Sequence, residues 1–379
     1  MRFSCFFLTI SIIIGLSFSC NRKIDEAFVP NANLIVHETP LQTKQIAPYY
    51  SFQSDDLKDV VELDGLIDSL LLLATPNTDF AYQLFNLNSN ASFMPVALDK
   101  NDSYCYSQIR NVNGFLYLDI LALNFRDLLT IDLEETINNK QVLLTERVSL
   151  PAYAVSSFLI NGTILANICL DKSSFSLRYI RKNDGVTLKE VPLFGTHKHL
   201  YSSIPLFDSI QRISPDGNYL VFCMRHFDKL HIFNIRGNTH YTVTTAPSNL
   251  SDNKAIKKFR KTEEPYHPPC YLDVSVTDRA IYALHLSESP SKGIVPTIQV
   301  FDWSGNYLFD FFVSEPIVSI MFDEKKSILY GLDTMMGSLY YYNLSFFRYT
   351  FSNLNHHEAL ISIHFSRSFY PSYQRLQHF

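Results

Sequence analysis

Three acidic residues, Asp216, Asp278 and Asp323, stand at matching places along a chain of 379 residues. Each falls in a turn between two short apolar runs, where an acidic side chain is also what turn geometry selects, because Asp bonds nearby backbone N–H groups. Turn chemistry accounts for all three without catalysis. His197-Lys198-His199 could offer two imidazoles from one side of an extended strand. No third ligand follows at a usable spacing, so a solvated loop is expected. His356, His357 and His364 come without the Cys or acidic pattern that selects a metal. The chain contains no G-x-S-x-G elbow, no H-E-x-x-H and no Gly-rich phosphate loop. Neither a catalytic residue nor a metal or cofactor site is therefore assigned. Asn161-Gly162-Thr163 and Asn249-Leu250-Ser251 match glycosylation sequons, which act only in a host with that machinery.

The stretch with the most unusual composition is Ala246 to Cys270. Lys254, Lys257, Lys258, Arg260 and Lys261 cluster there, ahead of Pro265-Tyr266-His267-Pro268-Pro269. Proline cannot donate to a strand ladder, so this stretch is read as a connection between elements. Its bland reading is a solvated insertion. Its sharper reading is a basic and aromatic lip that meets an anionic glycan or an acidic protein surface through Lys257, Lys258, Arg260, Tyr266 and His267.

The elements that would position such a lip are short strands. Leu230 to Asn238 and Ile298 to Asn306 share one plan: an apolar strand, closed by Asn234 or Asp302, then a Gly-Asn turn. The same strand pattern returns at Tyr82–Leu87, Leu128–Leu133 and Leu339–Leu344. A degenerate copy is Phe175–Ile180, where Tyr179 stands in place of Asn or Asp. Copies about 40 to 70 residues apart are the mark of a radial β-repeat. The expected fold is all-β: a six-bladed β-propeller of four-stranded antiparallel blades. The clearest blade runs from Asp208 to Thr245, with Ser214-Pro215-Asp216-Gly217 as its first turn. The next spans Tyr271 to Phe312, and the last Ile317 to Phe351. Fainter blades are read at Gly65–Val96, Gly114 to about Asn139, and Val142–Leu193. Open strand edges invite aggregation, so an N-terminal strand, Asn33 to Glu38, is expected to close the blade that contains Leu339–Asn343.

Ahead of the propeller, Arg2 precedes a mainly apolar run from Cys5 to Phe18, too short to span a membrane and of a length suited to a signal-peptide core. Leu16-Ser17-Phe18-Ser19-Cys20 resembles the lipobox of bacterial lipoproteins, with Phe18 where a small residue is usual. The domain plan is a signal peptide over 1–19, a tethered linker over 20–40 beginning with lipidated Cys20, a propeller over 41–351 and a tail over 352–379. Formal charge is −5, and loss of the leader removes only Arg2 from the count. Such a balance does not imply a nucleic-acid partner. Cys105, Cys169, Cys223 and Cys270 are too widely spaced for a disulfide scaffold, and Cys169 and Cys223 lie in apolar strand-like runs that suit buried free thiols.

The run from Tyr271 to Leu332 resembles the TolB-like six-bladed propeller lipoproteins of Gram-negative bacteria. Gln299-Val300-Phe301-Asp302-Trp303-Ser304-Gly305-Asn306, Pro316-Ile317-Val318, Phe322-Asp323-Glu324-Lys325-Lys326 and Ile328-Leu329-Tyr330-Gly331 carry the likeness, which covers about 200–345 well and 60–195 weakly. Relatives have a Gly-Pro-containing loop after the first blade; here Asp99 to Arg110 has neither residue. The resemblance implies a propeller anchored at the outer membrane and no settled activity. The expected function is noncatalytic: a monomer that binds an envelope protein or a glycan through one face or the central channel. The competing reading is a carbohydrate-active lyase or hydrolase, which would need acids, His or Tyr converging at the inner ends of first strands. A third is a structural envelope component.

Overall fold

Each recurrent Asn or Asp ends its strand by accepting the backbone N–H groups just ahead of it. Asn86 Oδ1 accepts from Asn88 N at 2.8 Å, Asp132 from Glu135 N at 2.9 Å, and Asn234 from Gly237 N at 2.6 Å. Asp302 accepts from Ser304 N and Asn306 N, both at 2.9 Å, and Asn343 from Ser345 N at 2.9 Å. In the degenerate copy the strand runs on to Arg181, and Asp184 Oδ1 supplies the turn by accepting from Val186 N. The two Gly-Asn turns differ in which residue takes the left-handed conformation, Gly305 in one and Asn238 in the other. A Cβ on Gly305 would lie 2.7 Å from Ile35 Cδ1, so this turn also needs glycine for close approach.

The computed structural model describes residues 32–346, apart from 38, 59, 76–81, 97–103, 123–125, 151–153, 172–173, 194–206, 246–268 and 290–292. Its strands pair into six sheets arranged as a ring. Blade one comprises β4 (Glu62–Ile67), β5 (Leu70–Ala74), β6 (Tyr82–Asn86) and β7 (Ala91–Val96). Blade two comprises β8 (Tyr104–Val112), β9 (Phe115–Ala122), β10 (Asp127–Asp132) and β11 (Leu143–Ser149). Blade three holds β12 (Ala154–Asn161), β13 (Ile164–Asp171), β14 (Ser174–Arg181) and β15 (Thr187–Pro192). Blade four holds β16 (Ser209–Ile213), β17 (Tyr219–Met224), β18 (Leu230–Asn234) and β19 (Thr239–Thr244). Blade five holds β20 (Tyr271–Val276), β21 (Ala280–Ser289), β22 (Gly293–Asp302) and β23 (Tyr307–Phe312). Blade six holds β24 (Ser319–Asp323), β25 (Ile328–Asp333) and β26 (Ser338–Asn343), and takes its fourth strand from the N-terminal region.

That fourth strand is β3 (Tyr50–Gln53), antiparallel to β26 with Phe52 opposite Leu339. Closure by an N-terminal strand on the blade of Leu339–Asn343 is as expected, but the strand is not Asn33 to Glu38. Asn33–Val36 forms β1, which adds to blade four in parallel with β19. Gln42–Gln45 forms β2, which adds likewise to β23 of blade five. The arm begins ahead of the boundary placed at residue 41. The reason lies in packing: Tyr50 meets Tyr341 of blade six edge-on at 5.0 Å, and Phe52 stacks on Phe85 of blade one at 5.6 Å, aromatic contacts that Leu34 and Val36 do not supply. The last blade was expected to end in a fourth strand near Phe351; residues 347–351 lie outside the described residues, and the fourth-strand place beside β26 is taken by β3.

The boundary between blades two and three also moves. A helix, α1 (Leu133–Asn139), sits between the third and fourth strands of blade two, capped by Asp132. It delays the fourth strand, so Leu143–Ser149 completes blade two and does not open blade three. Most of Asp99 to Arg110, read as a loop, is the inner strand β8.

The middle strands read as unbroken apolar runs because blades pack on both faces. Apolar clusters fill the spaces between successive blades: Leu72 with Ile131, Phe158 with Phe222, Ile232 with Phe301, Phe311 with Leu329, and Leu73 with Tyr330. Trp303 stacks on Tyr219 of blade four at 5.0 Å and is held in place by its indole N–H, donated to Thr277 O of its own blade at 3.1 Å. Cys169 and Cys223 are buried, as expected for Cys in apolar strands.

The closure argument makes a stability prediction. Phe52→Ala should cost about 2–3 kcal/mol, less than a fully buried phenylalanine because Phe52 is half-buried. Deleting residues 32–40 should cost much less, since β1 adds to a blade already complete. Equal losses in denaturant unfolding would show that the arm closes the ring at β1 after all.

Candidate functional site: the central channel

The first strand of every blade lines the channel, and these strands meet through side chains, not through ladder hydrogen bonds. Beginning at blade one, Leu63 N donates to Ser319 Oγ of β24 at 2.8 Å. Ser319 Oγ in turn donates to Asp273 Oδ2 of β20, and Ile320 N donates to the same oxygen at 2.8 Å. Asp273 faces Arg212 of β16 at 3.6 Å. Beside Arg212, Gln211 accepts from Ser156 Oγ of β12. Leu159 N of β12 donates to Gln108 Oε1 of β8 at 3.3 Å. Ser107 Oγ of β8 donates to Asp64 of β4, which closes the circuit. One chain of polar contacts thus passes through all six inner strands.

Arg212 also crosses the channel. Blades one and four are opposite each other in a ring of six, and the Arg212 guanidinium pairs with Glu62 and lies 3.4 Å from Asp64 of blade one. The guanidinium therefore holds three carboxyl groups from two blades, using the planar donor fork that suits Arg to such sites. Exposure falls with depth: the side chains of Glu62, Arg212, Asp64 and Asp273 are 29%, 14%, 7% and 2% accessible.

Burial pushes the Asp64 carboxyl up to about 6, with Arg212 opposing the shift and Glu62 adding to it. Burial pushes Asp273 up to about 7, again with Glu62 raising it and Arg212 lowering it. An acid raised in the folded state keeps its proton at pH values where the unfolded chain has lost it. Its contribution to stability is thus greatest at low pH and fades as pH rises toward and through the folded value.

The turns at the other end of the inner strands join blades four, five, six and one in succession. Asp216 N donates to Asp278 Oδ1 at 3.0 Å, Arg279 faces Glu324 at 3.6 Å, and Lys326 Nζ donates to Asp68 O at 3.0 Å. Asp216 accepts from Asn218 N at 2.9 Å and Asp323 from Lys326 N at 3.0 Å. The three recurrent acids are therefore turn residues, as read from the sequence, and two of them join adjacent blades.

A further polar cluster braces blades four and five. Asp228 accepts from Thr245 N at 3.2 Å and Thr245 Oγ1 at 3.0 Å, with Tyr271 Oη at 3.4 Å and His285 Nε2 at 3.5 Å. His285 Nδ1 lies 3.0 Å from Ser287 Oγ. Inside blade two, buried Asp119 accepts from Arg110 and from Thr130 Oγ1 at 2.7 Å.

Cys20, Lys257, Lys258, Arg260, Tyr266, His267 and all the histidines weighed as metal ligands lie outside the described residues. Among the described residues no group of His, Cys, Asp and Glu is placed to hold a metal, and no helix is long and apolar enough to cross a membrane. Sequence reasoning missed the channel cluster. The available signal was a charge inside three apolar first strands: Glu62 and Asp64 in ELDGLI, Arg212 in SIQRI and Asp273 in YLDVSV.

No protein-family model matches this chain, and no curated protein matches it in sequence. Solved structures do match. Over 79% of its length the chain aligns with 92% of a chain in the crystal structure of the Mitotic Checkpoint Complex, at 10% identity and a TM-score of 0.41. It aligns over 78% with the whole of the β-propeller domain of Cps50 (Swd1) from Myceliophteria thermophila, at 10% identity and a TM-score of 0.42. It also aligns over 72% with 70% of Hsv2 from Kluyveromyces lactis, at 14% identity and a TM-score of 0.39. At these identities the likeness concerns fold alone. The strand pairing of this chain itself defines its class: a six-bladed β-propeller.

Two measurements test the channel account. Melting temperature should fall as pH rises from 5 to 8, and Asp273→Asn should flatten that slope; a slope that Asp273→Asn leaves unchanged would place its origin elsewhere. Arg212→Met should cost about 3–5 kcal/mol, since it leaves carboxyl groups buried without their cation. That loss should be larger at pH 8 than at pH 5, where the acids hold protons.

Proposed function

We propose that this chain is a lipid-anchored cell-envelope protein whose propeller binds a protein partner or a glycan without catalysis. The observation that carries the binding reading is the state of the channel. Asp273 accepts from Ser319, Ile320 N and Val274 N, Asp64 accepts from Ser107, and Arg212 is shared among three carboxyl groups. Side chains so engaged brace the ring. Recognition then falls to the face from which the blade-to-blade connections leave, where β19 and β20 bracket the segment of Lys257, Lys258 and Arg260. Its basic and aromatic composition supports an acidic protein surface or an anionic glycan as the partner. The apolar run behind Arg2 and the lipobox-like Leu16–Cys20 support export and lipidation at Cys20.

A second reading has one observation in its favour. Glu62, Asp64 and Asp273 converge in the channel, two of them with raised pKa values, which is the setting of general acid–base work on a glycan. Glu62, the most accessible of the three, would then be the reacting group.

Three experiments divide these readings. Labelling with a palmitate analogue should follow the chain into detergent and be lost in Cys20→Ala; unchanged labelling would refute lipidation. Capture from solubilised native membranes should yield a partner whose retention is salt-dependent and weakened by Lys257→Glu with Arg260→Glu. Retention indifferent to that pair would remove the segment from the recognition surface. Glu62→Gln should leave capture intact; glycan cleavage by the native chain that Glu62→Gln abolishes would establish the enzyme instead.

A further inference from the structure

The N-terminal arm is held in two grades. β3 is the antiparallel fourth strand of blade six, and its Tyr50 and Phe52 join the aromatic contacts around Tyr341 and Phe85. β1 and β2 instead add in parallel, the less stable pairing, to blades that already have four strands. All four side chains of β2 are exposed, as are three of four in β1. Beyond backbone hydrogen bonds this part is held by a few side chains: Ala32 and Ile35 against inter-blade cores, His37 with Nε2 2.8 Å from Gly305 O and its ring 6.2 Å from that of Tyr307, Lys44 over the Phe346 ring, and Ile46. Ala47-Pro48 separates the two grades. Proline biases the residue before it toward extended backbone, so the joint favours a chain that runs on over one that folds back.

We propose that residues 32–46 are an exchangeable arm, and that two copies of this chain trade arms, each adding its β1 and β2 to blades four and five of the other. A departing arm leaves the edges of β19 and β23 bare, with unpaired N–H and C=O groups that another strand satisfies. The occupant is a second copy because the seat is already built for this sequence. Asn33 pairs with Tyr241 and Gln42 with Phe309, and the glycine turn at 305 accommodates Ile35. Exchange keeps every one of these contacts and opens only the joint at 47–49, which is the economy that makes strand exchange a low-cost route to dimers. The closed monomer expected from the sequence is the dilute form of the same chain, because its own arm has the higher effective concentration until other copies are crowded around it.

The test places cysteines at two facing positions, Thr43 and Asp310. Thr43→Cys with Asp310→Cys in one chain should close a disulfide within that chain on oxidation, which reports a seated arm. The same substitutions in separate chains, mixed at high concentration and oxidised, should give a product of twice the chain mass. That product should rise with protein concentration and be absent when either single variant is oxidised alone. If the double variant closes internally while the mixed singles give no such product, the arm does not leave and the proposal fails. If neither crosslinks, the arm is not seated on this edge, and the proposal fails as well. Gln45→Cys with Phe312→Cys repeats the test without removing Asp310, which bonds Tyr307. A synthetic peptide of residues 32–46 should suppress the mixed product. Equal suppression by an unrelated extended peptide would show an unselective edge and overturn the assignment to a second copy.

Discussion

Six sheets can stand in a ring only if the strands nearest the axis are joined, and there the backbone offers no ladder between neighbours. In this protein side chains make the joints. Ser107, Ser156, Gln211, Asp273 and Ser319 pass hydrogen bonds from one inner strand to the next, and Arg212 ties the ring across its diameter. A buried guanidinium among three carboxyl groups is costly to desolvate, and its value lies in fixing one arrangement of blades against others. Raised pKa values at Asp64 and Asp273 follow from the same burial. Part of the negative charge is relieved by protonation, so the ring's cohesion is tied to pH.

The apolar contacts between blades supply most of the burial, but they are repetitive. Each joint packs Leu, Ile, Phe or Tyr from the middle strands of one blade on those of the next. Such contacts say that blades stack. They do not say how many, nor where the ring ends. The ending comes from the chain itself. β3 supplies the strand that blade six lacks, and β1 and β2 continue around the rim over blades five and four. The arm is thus a ring-closing strand followed, toward the N-terminus, by two added strands held mainly through backbone.

Blades four and five, and the first three strands of blade six, were legible almost residue by residue. Their turns announce themselves through Ser214-Pro215-Asp216-Gly217, the Gly-Asn pairs, and an Asn or Asp that bonds the next few N–H groups. Blade two was misread for a local reason: α1 interrupts it, and a seven-residue helix is too short to show a helical period in the sequence. β8 reads as a loop only through the likeness to TolB-like propellers, although Asn101-Asp102-Ser103 mark a turn directly ahead of Tyr104.

What the sequence by itself determined is what depends on near neighbours: strands, turns, the sixfold repeat, and the buried state of Cys169 and Cys223. Only the tertiary structure decided which N-terminal strand closes the ring and which charges share the channel. Asn33–Val36 and Tyr50–Gln53 are both short and strand-like, and the choice between them rests on Phe52 and Tyr50 finding Phe85 and Tyr341. Glu62 and Arg212 lie 150 residues apart. Neither residue carries a local mark of the other, since a single charge inside an apolar strand looks the same whether it points to solvent or to a partner across the ring. The partnership exists only because six blades, once closed, bring opposite strands within reach of one guanidinium.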